Sequence, residues 1–188
     1  MTATLDHLHQ LYAHTDDPWG FDDSPYEQGK FIATRNALTK DRYHAALEIG
    51  CGNGALARHL APHCARYTGI DAVDRAVIAA RTKVPGGDFL VGCYPCPLPQ
   101  GNFDLVILSE FLYFLTPGEI AHLSRDIADC APRAEIICIT YLGDTEQTLQ
   151  GADALDLFSA GMRGLINLEP VINTGLYRID RGEMGRVA

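Results

Sequence analysis

Basic residues are scarce in this chain, and neither a long apolar run nor a second tryptophan occurs. Fifteen Lys and Arg face 24 Asp and Glu, giving a formal charge of −9, and the basic residues are scattered along the sequence. A phosphate backbone or an anionic lipid surface is bound by clustered cations, so neither nucleic acid nor membrane is an expected partner. No stretch approaches the ~20 apolar residues of a membrane-spanning helix. Residues 1–7 have neither the basic start nor the apolar middle of a secretion signal, so the chain is expected to be cytoplasmic. The six cysteines (51, 64, 93, 96, 130 and 138) sit mostly in apolar segments, where a reduced thiol acts as a small core residue. Hydrophobic content of 47% against 21% charged is a globular balance. At 188 residues the expectation is one domain, 1–188, around a single core. What remains as a ligand is a small molecule, and a cationic one suits the charge.

The informative stretch is Ala45-Ala46-Leu47-Glu48-Ile49-Gly50-Cys51-Gly52-Asn53-Gly54-Ala55-Leu56-Ala57. An apolar run ends near an acid, turns through three glycines and continues with helical spacing. Strand, glycine turn and helix form the device by which an α/β sheet presents a nucleotide-like ligand at the carboxyl ends of its strands. The glycines allow positive φ, let a ligand touch main chain and let the helix approach the strand. The spacing Gly50-x-Gly52-x-x-Ala55 also fits the dinucleotide fingerprint, so the glycines alone leave the ligand open. Glu48 is more selective, because a carboxylate two residues before the turn disfavours a diphosphate and favours a ligand carrying an ammonium and a sulfonium. Glu-x-Gly-x-Gly-x-Gly resembles the first motif of class I S-adenosylmethionine methyltransferases. That resemblance places Glu48, Gly50, Cys51, Gly52 and Gly54 against S-adenosylmethionine.

The remaining pattern alternates strand and helix, as a parallel sheet requires. Strands are expected at 45–49, 66–71, 89–91, 102–110 and 134–141, and helices at 54–61, 76–81, 117–130 and 151–165. Weak alternation over 171–180 reads as an antiparallel edge hairpin. Ahead of the sheet, residues 4–14 and 25–38 are expected helices, the second capped by Ser24 with Pro25 at its first position and Glu27 at its third. The expected class is α/β: a doubly wound, mainly parallel, seven-stranded Rossmann-like sheet at 41–188, with a helical lid at 1–40.

Residues that close strands are the candidates for ligand contact. Asp71 ends the second strand with Ala72 beside it, and its carboxylate can accept both hydroxyls of an adenosine ribose. Asp74 is the better-placed cap for the following helix. Cys93 stands where methyltransferases usually carry an acid for the adenine amino group, which leaves main chain or the Tyr94 ring for that task. Cys93-Tyr-Pro-Cys96 has Cys-x-x-Cys spacing, but its prolines forbid the helix start that a redox pair uses, and no second ligand pair completes a zinc site. No metal site is expected. The segment 103–115 resembles the fourth methyltransferase motif, which implies that Ser109 and Glu110 lie beside the sulfonium with Tyr113 a turn further on. Asp104, at the start of that strand, reads as structural.

Asp16-Asp17-Pro18-Trp19, Ser24-Pro25-Tyr26-Glu27-Gln28-x-Lys30, Leu47-Glu48-Ile49-Gly50-Cys51, Leu60-Ala61-Pro62-His63-Cys64 and Ser109-Glu110-Phe111-Leu112-Tyr113 together resemble the rhizobial nodulation protein S family, over about residues 8–142. The resemblance implies an S-adenosylmethionine-dependent N-methyltransferase for the amine of a small molecule or amino sugar, with Trp19 and Tyr26 in a lid over the cofactor. An amine with pKa near ~10.4 must lose a proton before it attacks, and Glu110 is the first choice to take it, ahead of Tyr113 and His14. O-methylation of a small metabolite, a nicotinamide-dependent reductase and a silent S-adenosylmethionine-binding module are the competing readings. The acidic run Asp16, Asp17, Asp22 and Asp23 fits a solvated turn better than a cation-steering surface.

Overall fold

The structure, a computed structural model, describes residues 2–185, with side chains from residue 5 onward. The outermost positions of the expected 1–188 range, 1 and 186–188, lie outside the described residues. The chain divides into two units, residues 1–93 and 94–188.

In the first unit, helices α1 (Thr2–Tyr12) and α2 (Pro25–Ala37) precede strand β1 (Tyr43–Ile49). Then come α3 (Ala57–Leu60), a 3-10 turn at Ala61–His63, β2 (Cys64–Asp71), α4 (Asp74–Lys83) and β3 (Asp88–Val91). β1 runs parallel to β2, with Ile49 opposite Ile70, and β2 parallel to β3, with Asp71 opposite Val91. Residues 45–49 are all buried, as an inner parallel strand requires. Leu47, Leu60, Val77, Ala80 and Phe89 fill the core around them. Burying each leucine- or phenylalanine-sized side chain contributes about 1.5–3 kcal/mol. α2 starts as its sequence dictates: the Ser24 hydroxyl accepts from the Glu27 N–H at 3.3 Å, and Pro25 needs no partner for a donor it lacks.

Two local expectations fail here. The helix expected at 54–61 is only Ala57–Leu60, because Gly54 has φ +77° and the Asn53 side chain accepts the Ala55 N–H at 3.2 Å. Those residues are held in a turn, and Pro62 turns the far end into 3-10 geometry. Asp74 does not cap α4 either. Its Oδ1 accepts from the adjacent Arg75 N–H, whereas the Val73 N–H ahead of the helix donates to Asp71 Oδ1 at 3.0 Å.

The second unit holds β4 (Leu105–Ser109), a 3-10 turn at Leu112–Phe114, α5 (Pro117–Cys130) and β5 (Glu135–Tyr141). It closes with α6 (Gly151–Gly161), β6 (Glu169–Asn173) and β7 (Tyr177–Glu183). β4 is apolar and buried from Leu105 to Leu108, and pairs in parallel with β5. α5 opens with a capping box: Thr116 Oγ1 accepts the Glu119 N–H, and the Glu119 carboxylate accepts the Thr116 N–H at 2.8 Å. β7 is antiparallel to both β5 and β6, which gives the hairpin expected from the weak alternation near the carboxyl end. Fully buried Asp180 on β7 receives two hydrogen bonds from Arg178, at 2.6 and 2.7 Å. α6 ends at Gly161 and not at 165, because the chain leaves the helix at Met162 and reaches φ +85° at Gly164.

The seven strands form one mixed sheet in the order β3-β2-β1-β4-β5-β7-β6, as expected for a doubly wound fold with an antiparallel edge. Among the described residues no helix is long and apolar enough to cross a membrane.

Candidate functional site

The turn after β1 passes through left-handed backbone at Gly50 (φ +81°), Gly52 (φ +50°) and Gly54 (φ +77°). The last of these is a packing glycine: a Cβ on Gly54 would lie 2.9 Å from Ala80 Cα of α4. Gly52 is different. A Cβ there would meet only the Tyr12 hydroxyl at 3.6 Å and the Phe21 ring at 3.8 Å, so its missing side chain leaves room between turn and aromatics.

Two carboxylates flank the turn. Glu48 is fully buried in β1 and accepts the Tyr67 hydroxyl of β2 at 2.8 Å. Burial, and then the Glu48 charge, push the Tyr67 phenol well above its ordinary range. Asp71, at the end of β2, accepts the Gly52 N–H on Oδ2 at 2.8 Å and the Val73 N–H on Oδ1 at 3.0 Å. Burial raises the Asp71 carboxyl above the usual carboxylate range, opposed by donors from Val73, Gly52 and Ala72. The Cys51 thiol, buried between the first two glycines, shows what this environment does to charge. Burial, Asp71 and Glu48, in that order, hold it well above its ordinary pKa, so the turn disfavours negative charge.

The segment before β1 covers this turn. Trp19, 45% exposed, meets the Tyr12 ring edge-on with centroids 5.5 Å apart and stacks on Phe21 at 5.5 Å. The Asn53 side chain donates to the Asp16 carbonyl at 3.0 Å and Arg75 to the Ala13 carbonyl at 2.8 Å. Lys83 reaches Asp22 at 2.7 Å, and Gln28 pairs with His59 at 3.2 Å. Part of the acidic run is thereby used internally. Asp17 accepts the Phe21 and Asp22 N–H groups at 2.8 and 3.0 Å, and Asp22 faces Lys83. Tyr26 is half-exposed on α2, with the Lys30 ammonium 5.4 Å from its ring centroid.

Glu48, Gly50, Cys51, Gly52, Gly54, Asp71, Ala72 and Trp19 are therefore brought together. Cys93 is exposed just beyond β3, where Gly92 N–H donates to the Asp71 carbonyl at 2.9 Å.

In the second unit the Tyr94 hydroxyl donates to Asp126 of α5 at 2.7 Å, and His122 meets the other Asp126 oxygen at 3.3 Å. The Tyr94 phenol is raised by burial and then by Asp126. Its polar end is thus committed to α5. Ser109 closes β4, and the next residue, Glu110, has φ +51°, with its N–H donating to the Ile139 carbonyl at 3.0 Å. Left-handed backbone in a non-glycine residue costs about 1–3 kcal/mol and is found where the surrounding structure imposes it, often at functional sites. Tyr113 lies in the following 3-10 turn with its ring 4.8 Å from that of Phe114.

Tyr12, Phe21, Asn53 and Tyr67 were not expected at the site. Tyr12 is at helical spacing from Leu5 and Leu8 and reads as a core residue, and only the Asn within the glycine turn carried a local signal.

The strand order, the glycine turn after β1 and the acid closing β2 define a Rossmann-like fold of the methyltransferase type. The chain belongs to the nodulation protein S (NodS) family, whose model matches residues 3–129. It is 34% identical over 121 residues to nodulation protein S of Bradyrhizobium diazoefficiens, covering 60% of this chain and 57% of that protein. It is 35% identical over 112 residues to the Sinorhizobium fredii protein of the same name, covering 57% of this chain and 51% of that one. The chain thus spans about half the length of the curated relatives it matches. Among solved structures, the N-methyltransferase NodS from Bradyrhizobium japonicum in complex with S-adenosyl-L-homocysteine superposes with a TM-score of 0.79 at 22% identity, over 98% of both chains. That likeness establishes the fold.

Proposed function

We propose that this chain is an S-adenosylmethionine-dependent N-methyltransferase that acts in the cytoplasm on the amine of a small molecule or amino sugar. The observation that carries the proposal is the pair of carboxylates flanking the glycine turn, Glu48 buried in β1 and Asp71 on the Gly52 N–H, beside a Cys51 thiol that burial first, and then Asp71 and Glu48, hold neutral. A diphosphate brought there would be repelled by the same two charges, whereas a ligand bearing an ammonium and a sulfonium would gain from them. Family membership and the fold agree with this choice.

The cofactor would supply an already activated methyl group. In this reading Gly50, Cys51, Gly52 and Gly54 present main chain to it, Glu48 and Asp71 supply the field, and Trp19 and Phe21 exclude water from above the turn. Ala72 sits beside Asp71 at the nucleoside end, with Cys93, Tyr94 and Ser109 as further contacts. Glu110 takes the acceptor's proton, or attracts the cationic amine, and Tyr113 lines the acceptor side. The strained backbone of Glu110 supports that assignment, because a glutamate is kept where glycine would be easier. Holding acceptor and donor at near-attack distance would supply roughly 7–11 kcal/mol of the barrier reduction.

Titration calorimetry with S-adenosylhomocysteine tests the reading. Binding by the wild-type chain, its loss in Gly52→Arg and no heat from NAD are the expected results. Absence of heat with the wild type would overturn the proposal.

A further inference from the structure

Tyr12 is 2% exposed, and among the described residues its hydroxyl oxygen is buried without a hydrogen-bond partner. Its ring is fixed by the Trp19 edge contact and by a small apolar cluster with Val73, Ala76 and Leu8. An unpaired buried hydroxyl costs about 1–3 kcal/mol, and native structures rarely keep one without a use for it. The nearest feature is the space left by Gly52, whose absent Cβ would sit 3.6 Å from this oxygen. Asp71, the natural acceptor there, has both carboxylate oxygens engaged by the main-chain donors of Gly52 and Val73. The carboxylates that act on Tyr12 are Asp71 of β2 and Asp17 and Asp16 of the covering loop, with the neutral Cys51 thiol of the turn beside them and Arg75 of α4 turned to the Ala13 carbonyl. A carboxylate ligand group would be repelled by that ring of acids, whereas a neutral hydroxyl that both donates and accepts fits it.

We propose that Tyr12 is a cofactor-binding residue whose hydroxyl pairs with a ribose hydroxyl of the nucleoside beside Gly52. The inference rests on the cofactor reading above and adds a contact from α1 to it. It makes the docked position of α1 part of the binding site: a nucleoside in the turn satisfies the orphan hydroxyl, and the hydroxyl in turn favours α1 staying over the turn.

The test compares wild type with Tyr12→Phe, using two probes: S-adenosylhomocysteine and 5′-methylthioadenosine, which keeps the ribose but lacks the amino-acid tail. Tyr12→Phe is expected to weaken both probes by about three- to ten-fold, as the removal of one hydrogen bond would. Its melting temperature without ligand should be unchanged or higher, because the deleted hydroxyl had no partner in the free protein. Equal affinity of both proteins for both probes would overturn the assignment, and so would a weakening confined to S-adenosylhomocysteine, which would put the hydroxyl on the tail. A wild type that binds neither probe would remove the cofactor reading itself, whereas a wild type that binds both while Tyr12→Phe binds equally well removes only the Tyr12 hydrogen bond.

Discussion

In the turn directly after β1 the backbone enters left-handed φ at Gly50, Gly52 and Gly54, whereas in the turn directly after β4 it does so at Glu110. Glycine makes that conformation nearly free, and each glycine also removes a side chain, so the turn after β1 offers bare main chain and space. Glu110 meets the same backbone demand at a cost of about 1–3 kcal/mol and keeps a carboxylate. At the end of β1, then, the useful feature is what is missing. At the end of β4 it is what has been retained.

The largest expected effect separates the two ends by function. With a radiolabelled methyl donor and an amino sugar or a simple amine as acceptor, Glu110→Gln should lower turnover by about 10²–10⁴-fold, the usual contribution of a proton-transfer group. Affinity for S-adenosylhomocysteine should stay within about three-fold in the same variant, because the substitution removes a proton acceptor and leaves the glycine turn and its two acids as they were. Equal losses in both would make Glu110 a residue that only shapes the site. Next comes stability at the β1 turn. Gly54→Ala places a methyl against Ala80 Cα and strains φ at +77°, and should cost about 2–4 kcal/mol in urea unfolding. No change in midpoint would mean that α4 moves away freely. The smallest effect is on stability at the β4 end: Glu110→Gly should raise stability by about 1 kcal/mol, and a loss of stability would show that the glutamate is kept for packing.

The same contrast explains what can be read from the sequence. Alternating apolar runs and glycine punctuation are local signals, so the strands, α2, α5, the closing hairpin and the turn at Gly50–Gly54 are legible without the fold. Helix α3 is overestimated because its first residues obey Asn53 and the close approach of Ala80, which is 26 positions beyond Gly54. Asp71 displaces Asp74 as the acceptor ahead of α4 because its side chain folds forward onto the N–H of Val73, two residues on, in a local Asx-type turn. Tyr94 is legible as a loop aromatic, but its hydroxyl is committed to Asp126, 32 residues away. Tyr12 looks like one more apolar position on α1, and only the folded chain shows its hydroxyl over Gly52. The strain at Glu110 leaves no trace in composition or spacing, because any residue type could be written there and only the backbone angle reveals the cost.

Soaking crystals of the protein with equal concentrations of S-adenosylhomocysteine and NAD would address the anionic turn most directly. Density for S-adenosylhomocysteine alone, with its ribose within hydrogen-bond reach of Asp71, is the expected result. Density for the dinucleotide, with its diphosphate against Gly50–Gly54 despite Glu48 and Asp71, would contradict it.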